Sequence, residues 1–142
     1  MSASSDAVID ASTLAAYILT EENHEGIYMA LRARLEGGGR LFTPDIAQLE
    51  TANALWKAHV LRGLVTKEFI SEGLSDLFTL PIEAERHDEA LTRRAVEISL
   101  ESGLSVYDSI YVSLAEREKA ELLTSDKRQH EQAKRYVTTM LT

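Results

Sequence analysis

Apolar positions along the chain fall into two patterns: short apolar runs, and longer stretches in which apolar residues recur every three or four positions. The runs predict strands and the longer stretches predict helices. The predicted strands are Ala7–Asp10, Arg40–Thr43, Thr79–Glu83, Glu121–Thr124 and Tyr136–Leu141. The predicted helices are Ser12–Leu19, Glu22–Glu36, Pro44–Arg62, Thr66–Leu77, Asp88–Ser102, Ser105–Lys119 and Asp126–Arg135. Strands that alternate with helices predict an α/β protein, a three-layer α/β/α sandwich around a central, mostly parallel sheet in flavodoxin-like order.

Residues with strong local preferences mark the ends of these elements. Pro44 is placed at a favourable first helical position, and Thr66 is expected to cap the next helix. Ser105 begins a capping pattern, and Gly103 is expected to end the helix before it. Pro81 lacks an N–H group, which confines its strand to an edge of the sheet or to the start of the strand.

The size and composition of the chain describe an ordinary globular protein. Its 142 residues, 44% hydrophobic and 27% charged, suit one domain over 1–142. No apolar stretch approaches the roughly 20 residues that a membrane helix requires, and residues 1–6 lack the features of a signal peptide, so we expect a cytoplasmic protein. The absence of cysteine excludes disulfides, thiolate nucleophiles and cysteine-ligated zinc.

The formal net charge of the chain is -8. Taken alone, this charge argues against broad electrostatic binding of nucleic acid, which relies on a positive surface. It does not argue against an enzyme whose bound metal ion supplies positive charge locally. The negative net charge by itself therefore excludes neither a protein that acts on nucleic acid nor a metal-dependent enzyme.

Four acidic residues are candidates for a shared site: Asp10, Glu50, Asp108 and Asp126. Asp10 and Asp126 each follow a predicted strand, and ligands of open parallel sheets bind at the carboxyl ends of the strands. Two carboxylates about 4 Å apart repel each other by about 4 kcal/mol at an effective dielectric constant near 20. Such a cluster requires cations, and ligation by oxygen alone favours Mg²⁺ or Mn²⁺ over zinc.

Each acid also has a local structural interpretation. Asp10, Asp108 and Asp126 all occupy positions where they would stabilise a helix N-terminus. Glu50 lies inside the predicted Pro44–Arg62 helix, at the border of an apolar stripe formed by Ile46, Leu49, Trp56 and Val60. Helical spacing aligns Glu50 with Asn53 and Lys57 on one side of that helix.

Hydroxyl groups accompany two of the acids. Ser12 follows Asp10, and Thr124 precedes Asp126, so that both would orient carboxylates or hold metal-bound water. The same residues are common helix caps and turn formers. The four histidines have no paired metal-ligand spacing, and Tyr111 is assigned to the core.

Four short motifs occur in a characteristic order: Val8-Ile9-Asp10-Ala11-Ser12, then Thr43-Pro44-Asp45-Ile46-Ala47-Gln48-Leu49-Glu50 with Asn53, then Tyr107-Asp108-Ser109-Ile110-Tyr111, and last Leu122-Leu123-Thr124-Ser125-Asp126. Together they resemble the PIN-domain ribonucleases, in particular the single-domain VapC-type toxins of type II toxin–antitoxin pairs. The resemblance covers nearly the whole chain.

The resemblance implies a PIN-like fold and a metal-dependent endoribonuclease. Asp10, Glu50, Asp108 and Asp126 would form an acidic quartet around Mg²⁺ (or Mn²⁺), with support from a second group of residues: Ser12, Asn53 and Thr124. The expected partners are an RNA substrate, a cognate antitoxin protein and a second copy of the chain. Candidate dimer helices are Glu22–Glu36 and Thr66–Leu77. Many members of the family carry a bulky apolar residue shortly after the fourth acid, where this chain has Lys127 and Arg128.

Other acidic-pocket proteins fit the sequence less well. A metal-dependent adhesion site needs a hydroxyl where Leu14 stands, and a haloacid-dehalogenase-like phosphatase needs a second acid in place of Ser12. A receiver-type signalling domain needs two adjacent acids after the first strand and a lysine at the end of a late strand. This chain has Ile9-Asp10 and Asp126 at those places. A non-catalytic PIN-like or receiver-like binding or signalling domain is the alternative that we keep for comparison.

Overall fold

The computed structural model describes residues 6–142, in which five strands alternate with seven helices. The strands are β1 (Ala7–Ile9), β2 (Leu41–Pro44), β3 (Glu83–Glu85), β4 (Glu121–Thr124) and β5 (Thr139–Leu141). The helices are α1 (Ala11–Ile18), α2 (His24–Glu36), α3 (Ile46–Val60), α4 (Lys67–Thr79), α5 (Glu89–Ser102), α6 (Val106–Glu118) and α7 (Lys127–Ala133). Every predicted element is present within the described residues, with its bounds shifted by a few positions.

The strands form one sheet in the order β3-β2-β1-β4-β5, and every described pairing is parallel. This sheet confirms the predicted three-layer α/β/α class. The order of the strands differs from the flavodoxin-like order 2-1-3-4-5. In this chain β2 and β3 continue outward on one side of β1, and the chain then crosses back to place β4 on the other side. Hydrophobic periodicity identifies a strand but does not identify its neighbours.

The core is built on the two central strands. All of β1 and most of β4 are buried, and α6 packs across β1, β2 and β4. Because helices cover both faces of a parallel sheet, its central strands are apolar at successive positions. Ala7, Val8 and Ile9 show this pattern, and the chain turns into the site directly after them.

The predicted helix ends are mostly confirmed. Thr66 accepts a hydrogen bond from the amide of Phe69, and Gly103 ends α5 in the left-handed conformation, with a φ of 78°. The prediction for Pro44 is wrong, because Pro44 is the last residue of β2 and α3 begins at Ile46. Pro81 precedes β3 and does not lie within it, and β3 is an edge strand of the sheet as expected.

The apolar stripe predicted on the helix from Pro44, which should face the core, is not the face that α3 buries. The apolar side chains Leu49, Trp56 and Val60 are 72%, 48% and 53% exposed. The residues that α3 buries are Ala47, Thr51, Leu55 and Ala58. Small side chains allow α3 to pack closely against α1 and α4, and this close approach decides which face is buried.

The N-terminal stretch considered for a signal peptide lies outside the described residues, apart from Asp6. Among the described helices, none has the length and apolar character needed to span a bilayer.

Candidate active site

Asp10 lies at the carboxyl end of the central strand β1, with only 3% of its surface exposed. Its Oδ1 accepts hydrogen bonds from the Ser12 hydroxyl at 2.7 Å and from the Thr13 amide at 3.0 Å. Its Oδ2 accepts from the Thr124 hydroxyl at 2.5 Å. Burial raises the pKa of Asp10 to about 6, although these hydrogen bonds act in the opposite direction. Asp10 therefore caps α1, as its local interpretation predicts. Its burial also makes the ionised form of the carboxyl group costly.

Thr124 connects two of the four acids. It is fully buried at the end of β4, and its hydroxyl oxygen accepts a hydrogen bond from the Asp126 amide at 3.0 Å while donating to Asp10. The Ser12 hydroxyl accepts from the Ser125 amide at 3.0 Å, which ties the start of α1 to the same turn. Parallel strands end at the same edge of the sheet, and these hydroxyls fix how β1 and β4 end relative to each other.

Glu50 lies in the second turn of α3 and is partly buried. The hydroxyl of Tyr111 donates a hydrogen bond to its Oε1 at 2.6 Å. Burial raises the pKa of Glu50, the hydrogen bond from Tyr111 lowers it, and the nearby charge of Asp108 raises it further. The pKa of Tyr111 is raised strongly by burial and then by the hydrogen bond and charge of Glu50, with a further contribution from the charge of Asp10. The Tyr111 hydroxyl thus lies between two carboxylates.

Asp108 and Asp126 lie at the first turn of α6 and at the cap of α7. Burial raises the pKa of Asp108, and the charge of Asp126 raises it further. Asp126 accepts a hydrogen bond from the Gln129 amide at 3.0 Å, and the buried Gln129 side chain donates to the backbone oxygen of Asp108 at 3.3 Å. Gln129 therefore fixes the spacing between the two helices that carry these acids.

The four predicted acids are joined in a ring of hydrogen bonds and charge interactions. The ring is closed by a tyrosine hydroxyl on one side and a threonine hydroxyl on the other. In order, its members are Asp10, Tyr111, Glu50, Asp108, Asp126 and Thr124. We call this set the acidic ring. These contacts link the four carboxylates pairwise near the carboxyl edge of the sheet.

The ring contains oxygen donors only. Within residues 6–142, no three histidine, aspartate or glutamate side chains stand close enough to form a ready ligand set for a metal ion. Mg²⁺ usually keeps several of its waters and binds through one or two carboxylates, so it does not need a closed cage of side chains. The oxygen donors of the ring fit a hydrated Mg²⁺ or Mn²⁺ ion better than zinc, which prefers nitrogen and sulfur ligands.

A groove of about 860 Å³ opens beside the ring. Glu50, Asn53 and Lys57 line it along α3, Ser12 lines it from α1, and Tyr107 lines it from α6. The predicted alignment of Glu50, Asn53 and Lys57 is therefore confirmed. Asn53 makes no side-chain hydrogen bond within the described residues. Its support of the carboxylates stays a prediction, and the structure shows it lining the groove together with Glu50.

The unusual residues after the fourth acid also act on this site. Arg128 donates a hydrogen bond to the backbone oxygen of Gly103 at 2.8 Å, and its charge lowers the pKa of Asp108. Lys127 and Arg128 are both exposed at the start of α7. This chain therefore places the charge of Arg128 near Asp108.

Sequence reasoning missed two residues of the site. Tyr111 was assigned to the core, where its ring does lie, but its hydroxyl belongs to the acidic ring. Gln129 gave no sequence signal beyond its position three residues after Asp126. For Tyr111 a signal exists, because it lies three residues after Asp108 and therefore on the same side of α6.

A helix-flanked parallel sheet with carboxylates at its carboxyl edge is the architecture that this chain shares with a known family. The family model of the PIN domain matches residues 7–135, and the chain therefore belongs to the PIN-domain family. It is 37% identical to Ribonuclease VapC3 of Pyrobaculum aerophilum over 133 residues, which are 92% of this chain and 97% of that protein.

Solved structures share the fold. VapBC2 from Rickettsia felis, bound to a DNA fragment from their promoter, matches with a TM-score of 0.70 at 17% identity, over 96% of this chain and 98% of that one. PAE2754 from Pyrobaculum aerophilum matches with a TM-score of 0.64 at 21% identity, over 94% of this chain and 88% of that one. The receiver-like alternative is wrong, because the family match and the strand order both exclude it.

Proposed function

We propose that this protein is a divalent-metal-dependent endoribonuclease acting in the cytoplasm, the toxin of a type II toxin–antitoxin pair. The observation that carries the proposal is the acidic ring, whose four carboxylates are linked pairwise near the edge of the sheet where parallel α/β proteins bind ligands. The similarity to a protein named as a ribonuclease supports the choice of RNA as the substrate. Family membership supports the reaction class.

Asp10, Glu50, Asp108 and Asp126 would hold Mg²⁺ or Mn²⁺. When bound, the ion activates a water molecule and neutralises charge on the phosphate and on the leaving oxygen. Each side chain of the ring has a positional role that follows from its contacts. Thr124 and Ser12 fix the orientation of the Asp10 carboxylate, and Tyr111 holds one oxygen of Glu50 while the other oxygen receives no hydrogen bond from the described residues.

In the proposed reaction an oxygen–phosphorus bond forms from water, and the bond from phosphorus to the 3′ oxygen breaks. The 3′ oxygen leaves with a proton, so that the products are a 3′ hydroxyl and a 5′ phosphate. The acidic ring by itself repels the negatively charged phosphate. This repulsion makes the bound cation a requirement for holding the phosphate that is cut at the ring, as well as for chemistry.

We propose that the partner proteins are a cognate antitoxin and a second copy of this chain. The name VapBC2, given to a structure of the same fold, supports the first partner. For the second, α2 exposes Tyr28 and Met29 (45% and 62%), and Phe78 of α4 is 63% exposed. These side chains lie on or directly beside the two helical segments predicted to form the dimer. A monomer measured by sedimentation at micromolar concentration would contradict the dimer.

The test of the proposed function is cleavage of a mixed RNA panel by the purified chain with EDTA and after Mn²⁺ is restored. We expect cleavage only with the metal, and products that carry a 3′ hydroxyl. The chain with Asp10→Asn should not cleave. The matched control is Asp76→Asn, which makes the same chemical change at an exposed position of α4 and should cleave normally.

Equal cleavage by the Asp10→Asn protein would show that the activity is a contaminant or that the acidic ring is not the site. Cleavage that persists in EDTA would contradict the metal requirement. Binding of Mn²⁺ and RNA without cleavage of any RNA would favour the non-catalytic PIN-like alternative.

A further inference from the structure

The groove beside the acidic ring carries two side chains that the proposed cleavage does not use, Tyr107 and Lys57. We infer that this groove binds an unpaired segment of RNA, with the Tyr107 ring stacked on a base and the Lys57 ammonium on a phosphate next to the one that is cut. The inference rests on RNA being the substrate, as proposed above. It adds two residues that position the substrate and a preference for unpaired strands.

Lys57 is a cation that has no partner among the described residues of an acidic protein. It is exposed, it lines the same groove as Glu50, and it makes no ion pair or hydrogen bond within the described residues. Most arginines among the described residues form an ion pair with a carboxylate, as Arg94 does with Glu116. With a net charge of -8, the chain as a whole repels a polyanion, and Lys57 supplies a local positive charge inside this groove.

The spacing along α3 determines which phosphate Lys57 contacts. Lys57 comes seven residues after Glu50, two helical turns or about 10 Å along the axis. The two side chains lie on one side of the helix. Lys57 is therefore too far along the groove to share the phosphate held at the acidic ring, and it suits a neighbouring phosphate of the same strand.

Tyr107 presents an aromatic ring to solvent at the opposite wall of the groove. It is 64% exposed and directly precedes Asp108, and its hydroxyl makes no hydrogen bond within the described residues. Unpaired bases stack on exposed aromatic side chains, and this contact tolerates any sequence because every base has an aromatic face. Bases in a duplex have their faces covered by their neighbours, so an exposed ring at this position favours unpaired RNA.

The test is RNA binding measured by fluorescence anisotropy with Mg²⁺, on an Asp10→Asn background that prevents cleavage. Asp10 is buried and does not line the groove, so this background leaves the groove intact. Tyr107→Ser should weaken binding of an unstructured oligonucleotide about 5- to 150-fold, whereas Tyr107→Phe keeps the ring and should bind normally. Lys57→Gln should reduce the slope of log affinity against log salt by about 0.7, and Lys57→Arg should not.

Matched controls lie elsewhere on the surface. Tyr136→Ser removes a partly exposed ring that does not line the groove, and Lys119→Gln removes an exposed lysine at the end of α6 that has no ion pair within the described residues. Both control variants should bind RNA as the background protein does. In proteins with Asp10 intact, Tyr107→Ser should raise KM more than it lowers kcat.

The inference is overturned if Tyr107→Ser and Lys57→Gln bind RNA normally, if the controls lose as much affinity, or if a duplex binds as tightly as the unpaired strand. These failures are distinct from failure of the proposed function. Metal-dependent cleavage that is unaffected by the groove variants would preserve the nuclease and reject the groove. Groove-dependent RNA binding without any cleavage would reject the nuclease and preserve the groove.

Discussion

The hydroxyl of Tyr111 donates a hydrogen bond to Oε1 of Glu50 at 2.6 Å, across 61 positions of the sequence. It joins the most buried helix of the fold, α6, to the helix that lines the groove. Tyr111 is 2% exposed, so its ring is fixed by the core and its hydroxyl has a fixed position. The orientation of Glu50 is therefore set by core packing.

Tyr111→Phe tests whether the Tyr111 hydroxyl orients Glu50, because the substitution removes that hydroxyl and keeps the ring that packs in the core. We expect unfolding free energy to fall by about 1–2 kcal/mol, since a hydrogen bond to a carboxylate is lost at a partly exposed site. Cleavage should fall about 10- to 100-fold, as is usual when a residue that orients a metal ligand is removed. Urea unfolding and single-turnover cleavage measure the two effects.

The control for this variant is Tyr136→Phe. The Tyr136 hydroxyl also donates to a carboxylate, Glu101 Oε1 at 2.9 Å, but at an exposed position away from the acidic ring. This variant should cleave RNA at the normal rate. Equal activity of the two variants would show that Tyr111 has no role in positioning Glu50.

Thr124→Val tests whether the Thr124 hydroxyl supports activity beyond its contribution to stability. The substitution preserves shape, but it removes the donor to Asp10 and the acceptor of the Asp126 amide. Thr43→Val is the matched control, since Thr43 is buried in β2 and donates to the backbone oxygen of Ile9 at 2.7 Å. Each should lose about 1–3 kcal/mol of stability, because a buried polar group is left unpaired.

Only Thr124→Val should then lose cleavage, by about 10- to 100-fold. Thermal unfolding and cleavage rates for the pair provide the comparison. A proportional loss of activity in Thr43→Val would mean that stability alone limits both proteins, and that Thr124 has no special role.

Asp10→Asn should stabilise the metal-free protein above neutral pH. The pKa of Asp10 rises from 3.8 to about 6 on folding, so between these values the folded state binds a proton that the unfolded state has lost. The unfolding free energy of the wild-type chain therefore falls as pH rises from about 4 to about 6, relative to the variant. A shift of about two pKa units corresponds to about 3 kcal/mol.

Urea unfolding in EDTA at pH 4 to 8 measures this difference. The raised pKa values of Glu50 and Asp108 also affect both proteins, and their contribution largely cancels in the comparison. A difference in stability that does not change with pH would contradict a buried, charged Asp10.

Bound Mn²⁺ should offset the loss of stability that the buried, ionised Asp10 causes in the metal-free wild-type chain. An ion that binds only the folded state at 100 times its Kd adds about 2.7 kcal/mol to the unfolding free energy. We expect the wild-type chain and the Asp76→Asn control to unfold at a higher temperature with Mn²⁺ than with EDTA, and the Asp10→Asn chain to show little change. An equal shift in all three proteins would place the ion outside the acidic ring.

Much of this arrangement can be predicted from the sequence because its signals are local. Asp10 and Asp126 follow apolar runs, and Ser105 and Thr66 begin helices as caps, so the elements and two of the acids are readable from neighbouring residues. These signals need no knowledge of tertiary contacts.

The features that could not be predicted depend on which elements touch. Large apolar side chains suggested that Leu49 and Trp56 face the core, yet Ala47 and Ala58 are buried because α3 packs closely on its neighbours. The contact between Tyr111 and Glu50 depends on the strand order, which brings α6 under the central strands and beside α3. Periodicity contains no information on either relationship.

The most direct test of the account is the cleavage rate of RNA with saturating Mn²⁺ for single amide substitutions at the four acids and at two exposed acids of α4. The six variants are Asp10→Asn, Glu50→Gln, Asp108→Asn, Asp126→Asn, Asp76→Asn and Glu72→Gln. We expect the first four variants to lose at least about 100-fold in cleavage rate while remaining folded, and the last two to match the wild-type chain. Wild-type rates in the Asp10→Asn protein, or equal losses in all six, would contradict this expectation.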